Sequence, residues 1–180
     1  MTEIEIKLRV ADAGKAAEKV RAAGARLVRP RHLEDNTLYD FADGRLTAKG
    51  QALRFRKTGR RGLLTFKGPT VKSRSFKVRA EHETAVNDPA ELRKILKALG
   101  LKPVFSYRKH RTPFLKGRLR IALDETGAGC FLELEGERHE IVRFAKALGY
   151  KRSDFIKADY VELLKEAGEE SLADGGKTAG

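Results

Sequence analysis

Acidic and basic residues recur in this sequence two positions apart: Glu3 and Glu5, Arg54 and Arg56, Arg79 with Glu81 and Glu83, Lys109 and Arg111, Glu133 and Glu135. Residues two apart share one face of a β-strand, so each doublet would present neighbouring charges to the same side. Clustered carboxylates with no His or Cys among them suit hard, oxygen-loving cations, Mg²⁺ or Mn²⁺. Clustered Arg and Lys supply bidentate and point-charge contacts to phosphate oxygens. Both together describe a polyphosphate held with its metal ion. Phosphoryl chemistry needs little more than positioning, neutralised charge and an oriented nucleophile.

The doublets fall on segments that read as strands. At the start of the chain Ile4, Ile6, Leu8 and Val10 alternate with Glu3, Glu5, Lys7 and Arg9, a period-two pattern with one apolar face. The same reading covers 25–41, 52–57, 62–68, 76–86, 104–115, 118–125 and 130–136. Between them, Asp12 and Asp88-Pro89 open two helices that close at Gly24 and Gly100. A third helix over 139–148 closes at Gly149, and a short one holds Tyr160, Val161, Leu163 and Leu164. Leu92, Ile95, Leu96 and Leu99 form the expected buried stripe of the second helix. Residues 69–75 read as a mobile basic loop, and 167–180 as a disordered tail beyond a single domain, 1–166. Three times a Glu-x-Glu strand leads into a helix that ends in Gly, a loose internal repeat.

Composition bounds the partners. Charged residues are 35% and hydrophobic ones 41% of the 180 residues, and the net charge is +13. That excess implies an anionic partner without naming it. No apolar run approaches a membrane span. Cys130 is the only cysteine, which rules out an intrachain disulfide, reads as a small buried strand residue, and with the absence of a leader-like segment suggests a cytoplasmic location. A basic nucleic-acid-binding domain is the alternative, but carboxylates share the faces that carry Arg and Lys and would repel a nucleic-acid backbone.

An ordinary solvated sheet would scatter Thr, Ser, Gln and Asn among its outward charges. Here ionisable doublets dominate nearly every polar face. Closing about eight antiparallel strands into a barrel turns that face into a lumen. With helices over the apolar outside, the result is an α+β chain with a charged tunnel.

At this point the residues resemble a family, the CYTH superfamily of triphosphate tunnel enzymes, which includes class IV adenylate cyclases, thiamine triphosphatases and inorganic triphosphatases. Glu3-x-Glu5-x-Lys7, Arg54-Phe-Arg56, Lys67-Gly-Pro69, Arg79-Ala-Glu81-His-Glu83, Lys109-His-Arg111, Asp124 and Glu133-Leu-Glu135 follow its motifs in order. Asn36 stands where many members carry an acid, and Lys157 falls off the register of the family's tail. The resemblance implies an eight-stranded antiparallel tunnel barrel and metal-dependent cleavage within a triphosphate. It implies Glu3, Glu5, Asp124, Glu133 and Glu135 as ligands of one or two Mg²⁺ or Mn²⁺ ions, and Lys7, Arg54, Arg56, Lys67, Lys109 and Arg111 as phosphate contacts. Glu81 and Glu83 could bind metal, orient the bases or activate the nucleophile. Arg79 reads equally as structural. Candidate substrates are ATP, thiamine triphosphate and tripolyphosphate, cleaved by water or, in ATP, by the ribose 3′-hydroxyl. A homodimer is compatible with this reading.

Overall fold

The structure is a computed structural model that describes residues 2–59 and 61–169. Nine strands and five helices alternate along the chain: β1 (Thr2–Val10), α1 (Ala13–Ala22), β2 (Arg26–Leu27), β3 (His32–Phe41), α2 (Arg45–Ala48), β4 (Ala52–Thr58), β5 (Arg61–Lys67), β6 (Lys77–Val86), α3 (Pro89–Ala98), β7 (Leu101–Lys116), β8 (Leu119–Thr126), β9 (Gly129–Glu135), α4 (Arg138–Ala147) and α5 (Tyr160–Glu166). The strands form one sheet in the order β2-β7-β3-β4-β5-β6-β1-β9-β8, and a β7–β8 pairing closes it. The closed part is an eight-stranded antiparallel barrel with the helices outside. Strand β2 is a short addition that pairs with the end of β7 through Arg26 and Leu27.

The apolar side of the alternation lies outside the barrel, under the helices. Ile6, Leu8, Val20, Ile121, Leu134, Ile141 and Phe144 form the main core between β1, β8, β9, α1 and α4. A second cluster sets Tyr39, Phe55, Leu96 and Leu101 beneath α3. A third packs Phe105, Tyr107 and Phe131 against Tyr160, Leu163 and Leu164 of α5. Asp12 and Asp88 cap α1 and α3 as their sequence positions imply, accepting from Lys15 N and from Ala90 N and Glu91 N. Gly24, Gly100 and Gly149 follow the helices with φ of +85°, +84° and +91°, the left-handed conformation that only glycine adopts without a Cβ penalty.

Several local expectations change. The stretch 25–41 is interrupted before β3, next to Pro30, which has no N–H to give a ladder. Helix α2 forms between two expected strands, where no helix was expected. The Asp40 carboxylate reaches forward to accept from Leu46 N, Thr47 N and the Thr47 hydroxyl at 2.7–2.9 Å, satisfying its first turn. On α3 only Leu96 is buried, while Ile95 and Leu99 are 51% and 63% exposed. Cys130 is half-buried. The basic loop is also tethered: Val71 N donates to Val78 O at 2.7 Å, and Lys157 Nζ donates to Ser73 O at 3.1 Å. Of the expected tail, 167–180, the first three residues close α5 instead, with Ala167 N, Gly168 N and Glu169 N donating to the carbonyls of Leu163, Lys165 and Leu164, and 170–180 lie outside the described residues.

Candidate active site in the barrel lumen

Barrel order sorts the doublets into two walls. Strands β6, β1 and β9 are neighbours, so Glu81 and Glu83, Glu3 and Glu5, and Glu133 and Glu135 stand on adjacent strands as an acidic wall. These are the three strands of the sequence repeat. Strands β4, β3 and β7 are neighbours on the other side of the ring. They carry Arg54 and Arg56, Glu34 and Asn36, and Lys109 and Arg111. Strand β5, with Thr65 and Lys67, joins the walls along one seam, and β8, with Arg120 and Asp124, joins them along the other. Between them runs a cavity of about 430 Å³ lined by residues of both walls.

The β8 seam is fully compensated. Arg111 grips both oxygens of Asp124 at 2.7 and 2.6 Å and reaches Glu133 at 2.7 Å. Lys109 Nζ adds a contact to Asp124 at 2.9 Å, and the Tyr160 hydroxyl donates to the same carboxylate at 2.6 Å. Burial pushes the Asp124 carboxyl upwards, but Arg111 and Lys109 outweigh it and hold it at about 2. Lys109 responds in the opposite sense: burial and the Arg111 charge bring it down to about 8 against the pull of Asp124, Glu133 and Glu34. Asp124, grouped with the cation ligands on resemblance, therefore has both oxygens occupied by Lys109, Arg111 and Tyr160.

The remaining pairs bridge strands in the same manner. Lys67 Nζ lies 2.7 Å from Glu3 and 2.8 Å from Glu81. Arg79 contacts Glu3 at 3.2 Å, which places it among the lumen charges. Lys7 lies 3.3 Å from Glu5 and 3.5 Å from Glu133; despite burial, those carboxylates raise its pKa. Arg56 is shared by Glu34 at 3.3 Å and Glu83 at 3.4 Å, and the Thr65 hydroxyl donates to Glu83 at 2.8 Å.

Two groups stand apart. Arg54 has no carboxylate within ion-pair distance among the described residues, and its buried Nε has no hydrogen-bond partner. Among the described residues Glu135 forms one ion pair, with the exposed Arg120 at 3.1 Å. Burial, with the charges of Glu133, Glu3 and Glu81, lifts its carboxyl to about 7 although Arg120 pulls it down. One lumen cation thus lacks an anion, and one carboxylate is crowded by other carboxylates.

Every sequence-derived candidate (Glu3, Glu5, Lys7, Arg54, Arg56, Lys67, Glu81, Glu83, Lys109, Arg111, Asp124, Glu133 and Glu135) faces this lumen or its seams. Sequence reasoning missed Glu34, Lys77 and Tyr160. Glu34 is 4% exposed and lies within 4 Å of Arg56, Lys109 and Arg111. Lys77, also buried, pairs with Asp159 at 3.3 Å. For both the signal was present, because Glu34 is two residues before Asn36 and Lys77 two before Arg79. Tyr160 gave none, since it enters from a helix outside the barrel.

The eight-stranded barrel thus sets an acidic wall against a basic one around an enclosed cavity. The sequence profile of the CYTH domain matches residues 1–168, and the chain belongs to that family. A candidate adenylate cyclase of Methanocaldococcus jannaschii is 31% identical over 174 residues, covering 91% of this chain and 98% of that protein. Among solved structures, a candidate adenylate cyclase of Vibrio parahaemolyticus shares the fold with a TM-score of 0.82 at 22% identity, over 92% of this chain and 98% of that one. A Hippeastrum protein described as a candidate adenylyl cyclase with a dominant triphosphatase activity aligns with a TM-score of 0.64 at 19% identity, over 96% and 97%.

Proposed function

We propose that the protein is a metal-dependent enzyme that cleaves within a triphosphate held across the lumen. The observation that carries this reading is Arg54, an enclosed guanidinium with an orphaned Nε among cations that are all ion-paired. A buried unpaired charge is costly unless a ligand completes it. A phosphate oxygen is the complement whose geometry a guanidinium matches. Membership of the CYTH family and the activities named for its relatives point the same way.

In this reading Arg54, Arg56 and Lys67 receive phosphate oxygens, with Lys109 and Arg111 fixed behind them by Asp124. Glu3, Glu5, Glu133 and Glu135 would hold a divalent cation, Mg²⁺ or Mn²⁺. No ready-made cage of three ligating groups exists among the described residues. The donor set nonetheless fits a hard cation: it is all oxygen, and burial together with the charges of Glu133, Glu3 and Glu81 raises Glu135 to about 7. Bound there, the cation supplies charge neutralisation of phosphate oxygens. Glu81 and Glu83 remain placed to orient the bases or to receive a proton from the attacking hydroxyl. Attack by water shortens the phosphate chain, and attack by a ribose 3′-hydroxyl yields a cyclic nucleotide and pyrophosphate.

The test incubates the protein with tripolyphosphate, ATP and thiamine triphosphate in the presence of Mg²⁺ or Mn²⁺ and separates orthophosphate, pyrophosphate and cyclic AMP. Product that disappears with EDTA supports the reading. Absence of product from all three substrates with either metal would sink it.

A further inference from the structure

The charges of the lumen pair with one another, so the net charge of +13 resides elsewhere. Much of it gathers on one side of the barrel. Helices α1 and α4, which cover β1, β8 and β9, and the β7–β8 turn at 116–118 carry eight Lys and Arg against two acids, Glu18 and Glu140. Lys116 joins the two helices into one surface. Its Nζ donates to Ala23 O at the end of α1 and lies 5.5 Å from the centre of the Phe144 ring on α4. It shares a crevice with Arg143 of α4. Lys19 and Arg21 of α1 and Lys146 of α4 are also exposed on these helices. None of these five cations forms an ion pair among the described residues. Exposed cations elsewhere on the barrel do: Arg31 with Glu125 at 2.7 Å, Lys94 with Glu91 at 2.9 Å and Arg108 with Asp35 at 3.5 Å.

The chemistry of this face narrows what could cover it. Among the described residues no large apolar side chain is exposed on α1 or α4. The face therefore offers neither the apolar centre of a protein interface nor a wedge for a bilayer. It exposes no aromatic ring on which an unpaired base could stack, since Phe144 is buried. What it offers is unpaired positive charge, the complement of regularly spaced phosphates. The carboxylates that weigh against nucleic acid on the lumen strands are on the other side of the barrel wall. We propose that the α1–α4 face is a second, non-catalytic site that docks the phosphate backbone of double-stranded nucleic acid without reading its sequence.

Fluorescence anisotropy with a labelled DNA duplex of about 20 base pairs, two helical turns, tests this on the full chain. Five phosphate contacts predict that log K falls with log salt at a slope of about −4.5, a loss of about 500-fold between 50 and 200 mM. Lys116→Glu combined with Arg143→Glu should weaken binding at least about tenfold and reduce the slope by about 2. The same reversal on α3, Lys94→Glu combined with Lys97→Glu, should leave both nearly unchanged. Equal loss in the two double variants overturns the inference, because binding then follows net charge and not this face. No binding by the wild type at the lower salt overturns it too. So does tighter capture by phosphatidylserine vesicles that is lost in the α4 variant, which would assign the face to a membrane. If that variant unfolds, the single changes Lys19→Gln and Lys146→Gln decide: each should reduce the slope by about 1, and unchanged slopes overturn the inference. None of the substituted residues lines the lumen, so the outcome stands apart from that of the triphosphate assay.

Discussion

The basic and acidic walls of the lumen are built alike, each from doublets on three adjacent strands, yet they are compensated differently. On the basic wall, Lys109 and Arg111 are locked to Asp124 along the β8 seam and Arg56 to Glu34, while Arg54 has no ion-paired carboxylate among the described residues. On the acidic wall, Glu3 and Glu5 are paired with Lys67 and Lys7, while burial, together with the charges of Glu133, Glu3 and Glu81, raises Glu135. The deficits have opposite sign and lie on β4 and β9, strands on opposite sides of the ring. That is the charge pattern expected of a site finished by an anion on one wall and a cation on the other. The lumen groups named above comprise as many acids as bases, so the net charge of +13 lies on the outside of the barrel. The overall excess that pointed to an anionic partner is therefore not a property of the tunnel.

The sharpest way to break the comparison is at the compensated seam. Asp124→Asn keeps the shape but strips the charge that Lys109 and Arg111 share, and removing one partner of a buried ion pair costs about 3–5 kcal/mol. Glu34 and Glu133 remain nearby, so about 3 kcal/mol is expected, read as a lowered midpoint of urea unfolding. Arg54→Ala should behave in the opposite way. Having no ion pair to lose, it should leave the unfolding midpoint nearly unchanged while reducing kcat/KM on a triphosphate by about a hundredfold, the scale of one oriented charged donor. If Arg54→Ala unfolds the protein as readily as Asp124→Asn, the two regions are not different in kind. Tyr160→Phe is milder. It removes one hydrogen bond to a carboxylate, about 1.5 kcal/mol, and should lower stability without changing the ratio of rates among substrates.

Much of this was legible because a barrel strand writes its lumen face at period two. Once Glu3 and Glu5 are assigned inward, Lys7 follows, and the same step reaches Arg54 to Arg56 and Glu133 to Glu135. It also puts Lys77 on the polar face with Arg79, though not in the site, and would have reached Glu34 from Asn36. What period two cannot encode is which wall meets which. The adjacency of β6, β1 and β9 arises from long-range pairing, and the occupation of Asp124 by Tyr160 arises from a helix 36 residues further on. Helix α2 was invisible for a related reason, since Leu46 N and Thr47 N in its first turn are satisfied by Asp40, several residues upstream on β3. The α3 stripe shows the converse error: helical periodicity marked Ile95 and Leu99 as core, although the barrel wall beneath is only wide enough to cover Leu96 and part of Leu92.

The smallest effect tests the acidic wall by pH. Glu135 has a carboxyl pKa of about 7 in the folded protein against an ordinary 4.5. Between those values the folded state holds more protons than the unfolded one, so stability falls as pH rises. The contribution is full below 4.5 and lost as pH passes about 7. In EDTA the melting temperature should therefore drop by about 2–4 °C across this window. Glu135→Gln, which cannot ionise, should flatten that slope, whereas Arg120→Gln removes the one charge that lowers the pKa and should move the drop to higher pH. A divalent cation bound by ionised Glu135 stabilises the folded state by mass action, so Mg²⁺ should restore the melting temperature at alkaline pH and do little at acid pH. A Mg²⁺ effect of equal size on both sides of the window, or one that survives in Glu135→Gln, would remove Glu135 from the cation site and leave the excess on the acidic wall without a ligand to balance it.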